Sequence, residues 1–162
     1  MPTGHEVFEQ LSWHWEAQLR PRFEGLTREE ILWEPVADCW TVRQGMPDWE
    51  WPSPVPAPVT TIAWRLAHIG HCFDHRYQAH FGDRVFEHAV PDDLLAFVDD
   101  GYRLWSEAIS RADEARLARP HQGPPGSADE AYPLWAVILH INREVIHHGA
   151  EVALLRDLYL RR

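Results

Sequence analysis

Apolar residues recur every three or four positions over four long stretches of the chain, the spacing of helices that each bury one face. The clearest is the last: Pro133-Leu-Trp-Ala-Val-Ile-Leu-His-Ile-Asn-Arg-Glu-Val-Ile-His-His-Gly-Ala-Glu-Val-Ala-Leu-Leu-Arg-Asp-Leu-Tyr159. At about 100° per residue, Leu134, Val137, Ile141, Val145, Val152, Leu155 and Tyr159 collect on one face. His148 falls inside that stripe, and Glu144 lies at its edge one turn earlier.

The other three stretches carry their own boundaries. The first runs from about Glu6 to Glu24 with Val7, Leu11, Trp15 and Leu19 in register, and Pro21 should kink or end it. Thr27-Arg-Glu-Glu30 matches a capping box, so a short helix should start there and stop before Pro35. Residues 36–60 read as a long loop, because Pro47, Pro52, Pro54, Pro56 and Pro58 prevent regular structure. Trp40, Trp49 and Trp51 suggest that this loop packs onto the body and lines a pocket. The second long helix should begin at Thr60 or Thr61, either of which can cap it, and run to about Phe81, with Gly82 ending it. The third should open at Pro91, with Asp92 and Asp93 complementing the helix dipole, and pass through Leu94, Val98, Tyr102, Trp105 and Ile109 to about Arg116. A second loop, 117–132, contains Pro124-Pro125-Gly126 and precedes the final helix from Pro133. No repeat or linker divides the chain. The expectation is one all-α domain over residues 1–162, a four-helix bundle with long connections.

Composition narrows the function classes. The 162 residues suit one sizeable core, and 45% hydrophobic with 25% charged residues is ordinary for a soluble protein. The net charge of −10 and the lack of a basic cluster argue against nucleic acid as a partner. Every cation except His is Arg, a composition bias with no functional reading. Cys39 and Cys72 make no disulfide framework, so a reducing cytoplasm is expected. The N-terminus lacks a signal-peptide pattern, and no apolar run approaches the roughly 18–20 residues of a membrane span.

The candidate chemistry lies in the histidines. Seven of eleven fall in two helical segments: His68, His71, His75 and His80, then His140, His147 and His148. Burying Glu144 and His148 on a core face is costly unless each finds a partner. A divalent ion held between helices is one, and their i, i+4 spacing lets both reach it. A third ligand from another helix leaves a coordination position open for water or substrate. His68 is the candidate, although Ile62, Leu66, Ile69 and Phe73 define the main stripe and His68 lies on the other side with Trp64, Cys72 and His75. Competing readings stay open: a hydrogen-bonded core imidazole for His148, a salt bridge to Arg143 or another Arg for Glu144, and a packing role for His68. His71, His75, His80 and His147 read as satisfied or surface histidines. His140 is a partner of Glu144 or an alternative ligand, and Cys72 a buried inert thiol. Arg65 and Arg143 either bind an acidic substrate or lie on the surface.

Three features together resemble the DinB-like superfamily of metal-binding four-helix bundles, which includes the mycothiol-dependent maleylpyruvate isomerase fold. They are Trp64-Arg-Leu-Ala-His68, His140-Ile-Asn-Arg-Glu144-Val-Ile-His147-His148, and the spacing between them. Many members carry His-x-x-x-His on the final helix. The mycothiol-dependent isomerases carry Glu-x-x-x-His followed by an acid three positions on, where Glu151 stands here. The resemblance implies that His68, Glu144 and His148 bind a divalent metal, zinc first, with nickel, iron or manganese as alternatives. It further implies a transferase or isomerase acting with a low-molecular-weight thiol such as mycothiol or bacillithiol on an electrophilic substrate, and a homodimer. The alternative is a non-catalytic bundle, its metal absent or structural. A structural zinc would need a fourth ligand from His140, His71 or Cys72.

Overall fold

The computed structural model describes residues 3–120 and 132–162. It comprises α1 (Gly4–His14), a π turn (Trp15–Leu19), a 3₁₀ turn (Arg20–Phe23), α2 (Arg28–Ile31), β1 (Val42–Arg43), β2 (Met46–Pro47), α3 (Ile62–His80), α4 (Leu94–Ser110), α5 (Glu114–Leu117) and α6 (Leu134–Tyr159). Four long helices close a ring in which α1 packs on α4 and α6, and α3 packs on the same two. The all-α bundle is as the periodicity predicts, and the stripe of α6 is its buried face: Leu134, Val137, Ile141, Val145, Val152, Leu155 and Tyr159 are all buried.

Side-chain caps fix where the helices begin. Thr61 accepts a bond from the Trp64 amide and starts α3. Thr3 and Glu6 form a reciprocal capping box, so α1 begins two residues before the expected Glu6. At α2 the box is half made: Thr27 caps the Glu30 amide. The Glu30 carboxylate turns inward instead, 3.2 Å from Arg156 Nε on α6. The third helix starts later than Pro91 because Asp93, not the proline, supplies the cap to Ala96. It also stops earlier than Arg116. Asp113 caps a separate turn, α5, through the Arg116 amide, which breaks α4 at Ser110. Pro21 acts as expected: it cannot donate to the carbonyl four residues back, and the helix widens into the π turn, tightens to 3₁₀ and ends at Phe23.

The 36–60 segment is irregular as expected except for one hairpin, β1–β2, turning at Gln44 and Gly45 with φ of 52° and 77°. Positive φ at both central residues marks the turn that matches strand twist, and Gly at the second makes it cheap. Trp40 does pack on the body, its ring 5.9 Å from that of Trp64. Trp49 and Trp51 do not; they are 67% and 80% exposed. Of the second loop, the Pro124-Pro125-Gly126 run lies outside the described residues. Its flanks are joined by the Leu134 amide donating to Arg119 O at 2.9 Å. Helix α6 approaches the π turn so closely that a Cβ on Gly149 would meet Leu19 Cδ2 at 2.5 Å.

Candidate metal centre

His148 is 8% exposed, within the apolar stripe of α6. Glu144, one turn earlier, is half-buried at the stripe's edge, and His68 reaches both from α3. His148 Nε2 lies 3.4 Å from Glu144 Oε2, and His68 Nε2 lies 3.9 Å from the same oxygen. The two imidazoles meet edge to face, 4.5 Å apart. One donor atom from each of the three lies within 4.8 Å of the others. In tetrahedral coordination with bonds of about 2.1 Å, ligand atoms sit about 3.4 Å apart. The donor set and its spacing therefore fit a divalent ion with small side-chain adjustments.

His68 reaches the core although it lies off the main stripe of α3, because α3 is covered on two sides. Ile62, Leu66, Ile69 and Phe73 face the core, while Trp64 is buried beneath Trp40 of the loop. Trp64 stacks flat on His68, with centroids 5.1 Å apart and planes 7° apart, and so sets the imidazole's plane.

The other nitrogen of His148 is held as firmly. Nδ1 faces Glu151 Oε2 at 2.7 Å. With the proton on Nδ1 it donates to that carboxylate, and the Nε2 lone pair is left facing Glu144 and His68. Arg65 closes the array: Nε lies 3.0 Å from Glu151 Oε2, and the guanidinium sits over the Trp64 ring. Another guanidinium nitrogen lies 3.0 Å from His148 Nδ1. Arg65 is thus committed to Glu151 rather than to a substrate or to open surface. Burial favours the neutral imidazoles that metal binding needs. Burial first, then the adjoining His148, pushes His68 down to about 4 against the pull of Glu144. Burial also lowers His148, against its hydrogen bond to Glu151.

The remaining candidates are placed clearly. Arg143 Nε is 3.8 Å from Glu144 Oε1, but its side chain is 70% exposed, so the pair is a weak surface contact. His140 Nδ1 lies 3.6 Å from the same oxygen and borders the site. Cys72 is buried enough that its thiol is pushed up to about 12, with Glu144 adding to the effect, and it stays protonated. None of His140, His71 and Cys72 joins the three-donor group, which among the described residues has no fourth protein ligand. The carboxylate–guanidinium array behind His148 is only half legible in sequence: Glu151 is marked by the family resemblance, whereas Arg65 lies 83 residues before His148 and no local pattern pairs the two.

The fold and site together define a four-helix bundle with a two-histidine, one-carboxylate cluster between facing helices. A family model for the DinB superfamily matches residues 10–152, and the chain belongs to that superfamily. The superfamily is typically metal-binding, and a His/Glu triad is present here. No curated protein and no solved structure matches the chain. Among the described residues, no helix is long and apolar enough to cross a membrane.

Proposed function

We propose that this protein is a divalent-metal enzyme in which His68, Glu144 and His148 hold the ion, zinc by preference, and that it transfers or isomerises substrates with the help of a low-molecular-weight thiol such as mycothiol or bacillithiol. The observation that carries the reading is the three converging donors with no fourth beside them among the described residues, the pattern of a site with a position open to an outside group. A divalent ion bound there would lower the pKa of a thiol or water ligand and so supply a nucleophile at neutral pH.

The chain's own residues support an external thiol. Cys72, the cysteine beside the site, is held protonated by burial and cannot serve as the nucleophile. Cys39 is buried and donates to Val36 O. His68 and His148 give neutral lone pairs, and Glu144 gives the cluster's single negative charge. Glu151 holds the His148 ring, and Arg65 balances the Glu151 charge. A structural zinc would need a fourth protein ligand, which the described residues do not supply at this cluster.

The test is zinc-loaded protein mixed with mycothiol, bacillithiol or N-acetylcysteine and monochlorobimane as electrophile, followed by conjugate fluorescence. The expected result is a metal-dependent rate that disappears in Glu144→Ala and His148→Ala. Protein that carries zinc but accelerates conjugation of none of these thiols would overturn the thiol chemistry.

A further inference from the structure

A hollow of about 480 Å³, a size usual for small-molecule sites, lies where α2, the β1–β2 hairpin and the start of α4 come together. No residue of the metal triad lines it. Its floor is apolar: Ala63 of α3 and Leu94 of α4 are buried there. Ile31 of α2, Val42 of β1 and Leu95 of α4 stand half-buried around them. The walls are tied in place by contacts of their own. The Val90 amide donates to Gly45 O at 2.8 Å, which joins the hairpin to the segment leading into α4. The inward-turned Glu30 holds α2 to Arg156 of α6.

The polar lining carries both signs of charge. Arg28 contributes from α2, Gln44 from the hairpin turn, and Asp92 and Asp93 from the residues just before α4. Asp93 accepts a bond from the Ala96 amide with one carboxylate oxygen. Arg28 and Asp92 have no hydrogen bond or ion pair among the described residues, either with each other or with another group. Their neighbours are not left so. Glu29, next to Arg28, pairs with Arg162 at 3.0 Å. In the larger hollow of about 680 Å³, Arg84 is bound to Asp74 and Arg103 to Asp100. The 480 Å³ hollow thus keeps a guanidinium and a carboxylate unspent above an apolar floor.

This lining selects a ligand by charge. A simple anion would find Arg28 but would also face two carboxylates, and a simple cation would find the carboxylates but face the guanidinium. An uncharged apolar molecule would cover charged groups without pairing them, which is costly. A ligand bearing both charges and an aliphatic body matches each part, and a guanidinium can hold a carboxylate through two parallel bonds. We propose that this hollow is a second ligand site that binds a small aliphatic zwitterion, a free branched amino acid or a short apolar peptide, with its carboxylate on Arg28, its ammonium on Asp92 and Asp93, and its side chain over Ala63 and Leu94. The site is independent of the metal-enzyme reading.

The test is a titration of the full chain followed by amide NMR. The zwitterions are L-leucine and L-leucyl-L-leucine. The controls are 4-methylpentanoate, which lacks the ammonium, and 3-methylbutylamine, which lacks the carboxylate. At least one zwitterion should give saturable shifts at Gly45, Ala63 and Leu95 and bind roughly tenfold tighter than either control. Arg28→Gln and Asp92→Asn should each lose about that factor while melting as the wild type does. Arg111→Gln, the same charge change at the far end of α4, should leave binding unchanged. Saturation by leucine, or by leucyl-leucine alone, supports the site and sets the ligand's length. No saturable shift with either zwitterion, equal affinity for the single-charge controls, or unweakened binding in folded Arg28→Gln overturns the proposal.

Discussion

At the scale of single residues, the triad depends on groups that do not touch the metal position. Glu151 fixes the tautomer and orientation of His148 through a 2.7 Å contact. Removing such a partner commonly costs 10–100-fold in metal affinity. Glu151→Gln should therefore weaken zinc binding by about that factor, with Glu151→Asp recovering part of it, as read by competition with a chromogenic chelator. Equal affinity in all three proteins would make Glu151 a bystander. A second expectation concerns the metal-free protein. Burial, with the adjoining His148, pushes the folded His68 imidazole down to about 4, below the ordinary histidine range near 6.5. Between those values the unfolded chain binds more protons at this site than the folded one. The contribution of His68 is thus constant above about 6.5, is lost as pH falls towards about 4, and levels off below. Urea melts of metal-free protein at pH 7 and pH 5 should show a larger loss in wild type than in His68→Gln. An equal loss in both would show that His68 is solvated as in the unfolded chain.

At the scale of elements, the long helices were legible because each buries one regular stripe, while their ends were set by single side chains. Thr61→Ala should cost about 1 kcal/mol, since the hydroxyl caps the Trp64 amide at the start of the helix that carries His68. Chemical denaturation measures it, and Thr61→Ser should restore most of the loss. Cap competition explains where the sequence reading slipped. The sequence reading opens α4 at Pro91 and takes Asp93 only as a complement to the helix dipole; the bond that Asp93 accepts from the Ala96 amide sets the start instead. Asp113 likewise ended α4 early by beginning a new turn. The β1–β2 hairpin had too few residues per strand to show alternation, so the prolines around it dominated the pattern.

At the scale of the whole molecule, what was legible was which three side chains could converge, and what was not was the packing that brings them together. Glu144 and His148 were marked because polar residues sat in or beside an apolar stripe. His68 needed the second buried side of α3, visible only once the Trp40 loop folds over Trp64. The Glu30–Arg156 pair was read as local capping because its partner lies far along the chain; it ties the α2 segment to α6. Glu30 is 3% exposed, so Glu30→Ala strands a mostly buried guanidinium and should cost about 3 kcal/mol. Glu30→Met with Arg156→Leu should recover much of that in thermal melts, and a double variant no better than Glu30→Ala would contradict this account of the pair. The central claim is that His68, Glu144 and His148 hold one divalent ion between α3 and α6. It is tested most directly by metal analysis of untagged protein by mass spectrometry, alongside a Glu144→Ala, His148→Ala double variant that remains folded. The account predicts a near-stoichiometric transition metal in the wild type and none in the variant. No metal in either after reconstitution, or equal metal in both, would contradict it.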